Sequence, residues 1–239
     1  MPVKACAWRS KIRRGPPIGL IFENRKDSGQ RLAEALSRFA ECRPLVLALP
    51  RGGVPVAYEV AKALRAPLDL VLVRKIGAPG HRELAVAAVV DGESPEVVVN
   101  EDVAGLLDLP EDYVARETAR QLQEIDRRRQ LYLGERPPPV LAGRTVIVVD
   151  DGIATGATAL AALRAIRRAK PEKLVLAVPV APLDSLDRLR AQVDDLICLA
   201  SPSAFGAISL YYRDFHQVAD DEVTGLLERA NCQSSGHAA

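Results

Sequence analysis

The chain has 239 residues, 48% of them hydrophobic and 26% charged, with 32 basic side chains against 31 acidic ones and a formal net charge of +1. That length suits one large α/β domain, alone or with a small appendage. The mixture excludes a collagen-like, coiled-coil or disordered chain, the neutral balance gives no global pull toward nucleic acid or an anionic membrane, and no apolar run approaches the ~20 residues of a membrane-spanning helix.

Residues 1–18 carry Lys4, Arg9, Lys11, Arg13 and Arg14 and no acid. A transit peptide is basic in this way but richer in serine; a flexible basic tail is the simpler reading. No secretory apolar segment follows Met1, so the cytoplasm is the expected compartment. The four cysteines, Cys6, Cys42, Cys198 and Cys232, form no CxxC pair. That argues against a zinc or dithiol redox site and against a structural disulfide.

From residue 27 the periodicities become regular. Asp27 can cap a helix over 27–39, with Leu32, Ala35, Leu36 and Phe39 on one face. An apolar run over 45–49 reads as a strand and ends in Pro50-Arg51-Gly52-Gly53. An Ala-rich helix over 54–64 and a strand over 68–73 complete a βαβ unit of about 30 residues. Gly77, Pro79, Gly80, Gly92 and Pro95 interrupt the next stretch. It reads as a mobile loop over 75–84 and a hairpin of two strands, 84–90 and 96–99. We expect that loop to order only over a bound ligand, since Ile76 is its one strongly apolar residue before Glu83. A long helix over 111–132 contains Arg127-Arg128-Arg129. Glu117, Glu124 and Asp126 interleave with these arginines, as on a solvated helix face rather than a nucleic-acid patch. Residues 137–139 are a proline linker. Strand, turn and helix then recur over 145–149, 150–158 and 159–169, followed by a strand over 173–180, a helix over 185–191 and a strand over 196–199. Residues 224–239 read as a C-terminal tail, its end (231–239) small, polar and disordered.

Strands that are continuous apolar runs and alternate with helices specify an α/β fold with a parallel sheet buried on both faces. In such folds ligands bind beyond the carboxyl ends of the strands. The turns 50–53, 74–84 and 150–158 lie there.

The strongest motif is Val146-Ile147-Val148-Val149-Asp150-Asp151-Gly152-Ile153-Ala154-Thr155-Gly156-Ala157-Thr158. A buried strand ends in two adjacent acids, and a Gly- and Thr-rich loop then enters a helix. Backbone N–H groups at a helix start form an anion site, and the hydroxyls of Thr155 and Thr158 add donors. Two carboxylates beside that site can accept hydrogen bonds from a diol. A phosphate next to a diol describes a ribose 5-phosphate. The run has neither the Gly-Lys-Ser/Thr of a Walker A loop nor a GxGxxG turn.

All thirteen positions resemble the signature of type I phosphoribosyltransferases. The resemblance extends roughly over 22–223 and implies a doubly wound, mainly parallel sheet of about five strands flanked by helices, with a small hood subdomain and a hairpin insertion. It implies a domain over 19–223, with a core over 27–199 and a hood from 19–25 and 200–216. It further implies transfer of ribose 5-phosphate from phosphoribosyl pyrophosphate (PRPP) to a nitrogenous base or other nucleophile, with Mg²⁺ as cofactor, and a homodimer. The implied roles fall residue by residue. Asp150 and Asp151 hold the ribose hydroxyls and, directly or through water, the Mg²⁺. Ile153, Ala154, Thr155, Gly156, Ala157 and Thr158 wrap the 5′-phosphate. Arg51, Gly52 and Gly53 form the pyrophosphate turn, which in the family often contains a cis peptide. Arg74 and Lys75 stand where related enzymes place a basic pair on pyrophosphate, so Lys75 joins the two acids as a catalytic candidate.

Ala154 stands where hypoxanthine-guanine enzymes carry an Asp before Thr-Gly, which disfavours 6-oxopurines. Acceptor candidates come from the aromatic cluster near the C-terminal end of the domain: Phe205, Tyr211 and Tyr212, with Phe215 beside them. Stacking on a planar acceptor and packing within a small lobe both account for that cluster. The same fold also serves regulators that sense PRPP or nucleotides without turnover, which is the alternative to an enzyme.

Overall fold

A computed structural model of the chain describes residues 22–92, 95–107, 109–110 and 112–235. Its centre is a five-stranded, fully parallel sheet built from β1 (Leu45–Ala48), β2 (Leu68–Leu70), β6 (Thr145–Val149), β7 (Lys173–Val180) and β8 (Asp195–Ala200), in the order β2-β1-β6-β7-β8. A second sheet of three antiparallel strands, β3 (Val73–Ala78), β4 (His81–Val90) and β5 (Glu96–Val99), lies in the order β3-β4-β5. The helices are α1 (Arg25–Leu36), α2 (Gly53–Leu64), the short α3 (Glu101–Ala104), α4 (Tyr113–Leu133), α5 (Ala157–Arg168), α6 (Leu183–Arg190) and α7 (Asp220–Ser235).

Alternation along each strand divides the core in two. Val46, Ala48, Ile147, Val149, Val175 and Ala177 face α1, α2 and α7. Leu45, Leu47, Val146, Val148, Leu174 and Leu176 face α5 and α6. Both faces are apolar, so the strands read as uninterrupted Val/Leu/Ile runs even though their side chains alternate in space.

The topology also fixes where a ligand can enter. Neighbouring strands β1 and β6 send their chains in opposite directions. The first crosses through α2 to β2 on one face, the second through α5 to β7 on the other. Their carboxyl ends therefore part at a topological switch point, the usual crevice of an open α/β sheet. Leu49 N donates to Val149 O at 2.9 Å and holds the two ends side by side.

Several segments differ from the sequence expectations. The strand expected over 68–73 ends at Leu70, and Val73 opens β3 of the other sheet. The helix start is capped by Asn24, whose side chain accepts from Asp27 N, rather than by Asp27. The segment expected as a mobile loop over 75–84 is largely strand: β3 pairs with β4 as a hairpin turning at Pro79 and Gly80, with register irregularities around Gly77. Ile76 and Ala78 are 1% and 4% exposed, and the Tyr113 hydroxyl donates to Gly77 O at 2.7 Å. Contacts with α4, distant in sequence, supply the anchoring that the local composition lacks. Of the tail expected over 224–239, residues 236–239 lie outside the described residues, and 224–235 belong to the helix α7. Val223, Leu226, Leu227 and Ala230 bury one face of it against α2 and α4.

Cys42, Cys198 and Cys232 are free thiols. Cys6, with the rest of the basic tail, lies outside the described residues, as do 19–21 of the expected hood.

Candidate functional site

A cleft of about 550 Å³ opens at the β1/β6 switch point. Its walls include Arg25, Pro50, Arg51, Gly52, Asp150, Asp151, Thr158, Ile208, Phe215 and Gln217. The turn after β1 runs directly against the acid pair. A Cβ on Gly52 would stand 2.0 Å from Asp151 Oδ2, and one on Gly53 would stand 2.8 Å from Val149 O. Only glycine permits that approach at both positions. The Pro50–Arg51 peptide is cis.

Asp151 is held from two sides. Arg25, at the start of α1, donates through Nε to Oδ2 at 2.8 Å, with the two side chains only 8% and 11% exposed. The Tyr212 hydroxyl donates to the Asp151 carbonyl at 2.6 Å. Arg25 also donates to His216 O at 2.7 Å and stacks 3.8 Å above the Phe215 ring centre. Burial pushes both carboxyls of the pair up. The negative charge of Asp151 adds to that rise at Asp150, whereas Arg25 opposes it at Asp151. Asp150 Oδ1 accepts from the Asp151 backbone N–H at 2.9 Å.

The loop after the acids approaches α5 with Gly156 at φ +76° and no side-chain cap on the helix. The first N–H groups of α5 thus lack intrahelical acceptors and suit an anion. Ile153 differs from its neighbours: its side chain is buried and its N–H is committed to Val180 O at 2.9 Å. The donors of the loop therefore begin after Ile153. Thr158 reaches the cleft wall.

Several candidates are placed elsewhere. Arg74 and Lys75 do not line the cleft. Adjacent residues of a strand point to opposite faces; Arg74 turns to α4, where its Nε donates to Gln121 Oε1 at 3.1 Å, while Lys75 is exposed on the other face. Phe205 and Tyr211 stack on each other at 5.5 Å, away from the cleft lining. Tyr212 is 6% exposed and packs between Phe22 and Phe215, at 5.3 and 4.9 Å between ring centres. It props the backbone of Asp151 and offers no surface to an acceptor.

Nothing local in the sequence marks Arg25 as the partner of Asp151 or Asp220 as the partner of Arg51, whose Nη1 lies 3.6 Å from Asp220 Oδ1. The Tyr132 hydroxyl donates to the same Asp220 oxygen. Arg25 and Asp220 lie 126 and 169 residues from their partners, so no local pattern links them.

A family model, the phosphoribosyl transferase domain, matches residues 21–216. The chain belongs to this family. Phosphoribosyl transferase relatives include "Putative phosphoribosyl transferase Rv0571c" and "Putative phosphoribosyl transferase MT0597" from two Mycobacterium tuberculosis strains, H37Rv and CDC 1551, each 44% identical over 211 residues. The match covers 88% of this chain and 47% of each relative, so the chain spans about half their length. The crystal structure of TT1426 from Thermus thermophilus is 42% identical, with a TM-score of 0.77 over 87% of this chain and 98% of that one. The α/β fold expected from the sequence is thus that of type I phosphoribosyltransferases. Among the described residues, no helix is long and apolar enough to cross a membrane.

Proposed function

We propose that the chain is a phosphoribosyltransferase, of the pentosyl-transferring class of glycosyltransferases, that transfers ribose 5-phosphate from PRPP to a nitrogenous base or another nucleophile with release of pyrophosphate. The observation that carries this reading is one juxtaposition. An acid pair, a glycine turn pressed against it and Thr158, from the first turn of a helix without a side-chain cap, line one crevice. Those parts match the diol, the pyrophosphate and the 5′-phosphate of PRPP.

In this reading the loop N–H groups after Ile153 and the Thr158 hydroxyl bind the 5′-phosphate. Asp150 and Asp151 accept from the ribose hydroxyls. Arg51 balances pyrophosphate charge, exchanging its contact with Asp220 for the ligand. Cleavage of the C1–O bond develops positive charge on the ribose ring, which the acid pair favours electrostatically. Phe215, Ile208 and Gln217 bound the acceptor side of the cleft. The carboxylates are hard oxygen donors and suit Mg²⁺, while no group of three His, Cys, Asp or Glu among the described residues forms a metal cage. That donor set fits a cation held largely by substrate oxygens and water. When bound, Mg²⁺ supplies charge neutralisation of the pyrophosphate.

The test is calorimetric titration of PRPP with Mg²⁺, followed by an assay for pyrophosphate release over a panel of bases and amines. Asp150→Asn and Asp151→Asn are expected to weaken PRPP binding by about tenfold or more, at about 1.5–3 kcal/mol per charged hydrogen bond. Unchanged affinity in both variants overturns the assignment. The ion pair of Arg25 with Asp151, and the absence of Arg74 and Lys75 from the cleft lining, favour a second reading. In that reading the protein binds PRPP or a nucleotide as a sensor and releases no pyrophosphate with any acceptor.

A further inference from the structure

The helix α6 follows the strand after the phosphate-loop motif and belongs to none of the motifs read from the sequence. Three of its residues nevertheless touch three consecutive residues of the loop. The Ser185 hydroxyl donates to Ala154 O at 2.7 Å. Arg188 donates through Nη2 to Thr155 O at 3.0 Å and to Ser185 Oγ at 3.2 Å. Leu189 Cδ1 lies 3.3 Å from the point where a Cβ on Gly156 would stand. Positions 185, 188 and 189 are spaced i, i+3 and i+4, so they form one face of the helix.

Peptide geometry converts those contacts into an orientation. In a trans peptide the carbonyl of one residue and the N–H of the next point in opposite directions. Drawing Ala154 O onto Ser185 turns the Thr155 N–H away from α6. Drawing Thr155 O onto Arg188 does the same for the Gly156 N–H. Ser185 is buried, so its bond to the loop is shielded from competing water.

We infer that Ser185 and Arg188 are positioning residues of the phosphate loop, which set the Thr155 and Gly156 N–H groups to receive the 5′-phosphate of a phosphoribosyl ligand. This rests on the phosphoribosyl reading above. The two residues act through loop carbonyls and touch no reacting atom.

Calorimetry on the full chain with Mg²⁺ present, using ribose 5-phosphate and pyrophosphate as separate probes, tests the inference. Ser185→Ala and Arg188→Gln are each expected to weaken ribose 5-phosphate binding by roughly three- to tenfold, each variant losing one hydrogen bond to the loop. In the same reading pyrophosphate binds at the 50–53 turn rather than on this loop, and its affinity is expected to stay within about twofold of wild type. Ser185→Thr, which keeps the hydroxyl, is expected to restore ribose 5-phosphate affinity. A general loss of structure lowers both affinities and is visible in the thermal midpoint. Unchanged ribose 5-phosphate affinity in both variants, or parallel losses for both ligands, overturns the inference alone. A wild-type protein that binds pyrophosphate but no ribose 5-phosphate, or neither, overturns the phosphoribosyl reading and this inference with it.

Discussion

At the residue scale, the site is a set of close contacts that tolerate little change. Gly52 backs onto Asp151 at a distance that leaves no room for a methyl group. Asp151 cannot retreat, because Arg25 fixes its carboxylate and Tyr212 its carbonyl. Gly52→Ala is therefore expected to lower stability by about 1–3 kcal/mol, the range for overpacking, and to displace the Asp151 carboxylate. A thermal melt and a PRPP titration read the two effects, and a melt and an affinity equal to wild type would contradict this account. Arg25 poses the complementary case. Breaking a buried ion pair from one side leaves an uncompensated charge, at a cost of about 3–5 kcal/mol. Arg25→Met is expected to lose that amount in urea denaturation, and Asp151→Asn in the same chain to recover part of it. Additive losses in the double variant would show that the two side chains are not coupled.

At the level of elements, helices distant in sequence complete what the βαβ units begin. The helix α7 buries three large aliphatic side chains, Val223, Leu226 and Leu227, and brings Asp220 to Arg51. Burying an aliphatic side chain contributes ~1.5–3 kcal/mol, so the helix supplies several kcal/mol of a total stability that for a domain is about 5–15 kcal/mol. Truncation after Ala219 is expected to abolish or strongly lower the cooperative thermal transition followed by circular dichroism. A midpoint within a few degrees of the full chain would show that α7 is dispensable. The antiparallel sheet is a second case. Its strands β3 and β4 are short of apolar residues at their turn, yet Tyr113 and the α4 face hold them. A segment that looks unanchored locally is anchored by a helix from a distant part of the chain.

The whole molecule carries an unusual set of buried acids. Asp69, Asp91, Asp150 and Asp151 all have carboxyls raised above the usual range, with burial the largest cause in each. For Asp91 the value is pushed up to about 6, although Leu72 N–H and Arg129 donate to it at 2.7 and 2.9 Å. A carboxyl whose folded pKa exceeds its unfolded one binds its proton more tightly in the folded chain. Its contribution to stability is complete below the unfolded value near 3.8 and is lost as pH rises through the folded one. For Asp91 that window runs from about 4 to about 6 and is worth about 3 kcal/mol. Glu124, held down to about 2 by Arg127 and Arg128, acts in the opposite sense on a solvated helix surface. Asp91→Asn is thus expected to flatten the fall in stability between pH 4 and 6. Urea midpoints across that range measure it, and parallel curves for variant and wild type would refute the assignment.

Much of this protein was legible from local pattern alone. Strands 145–149 and 173–180 end where the apolar runs end, since a strand buried on both faces must be apolar throughout. The strand, acid pair and loop over 146–158 declared the phosphoribosyl family because each position meets a backbone or charge requirement that its neighbours share. What the sequence could not decide are the contacts made across long separations. Whether Tyr212 faces a ligand or props Asp151, whether 75–84 is a loop or a hairpin, and whether 224–235 is a tail or a packed helix all depend on burial. Burial belongs to the assembled chain: Arg25, Asp220 and the α6 face meet the site only after the sheet has brought their elements together.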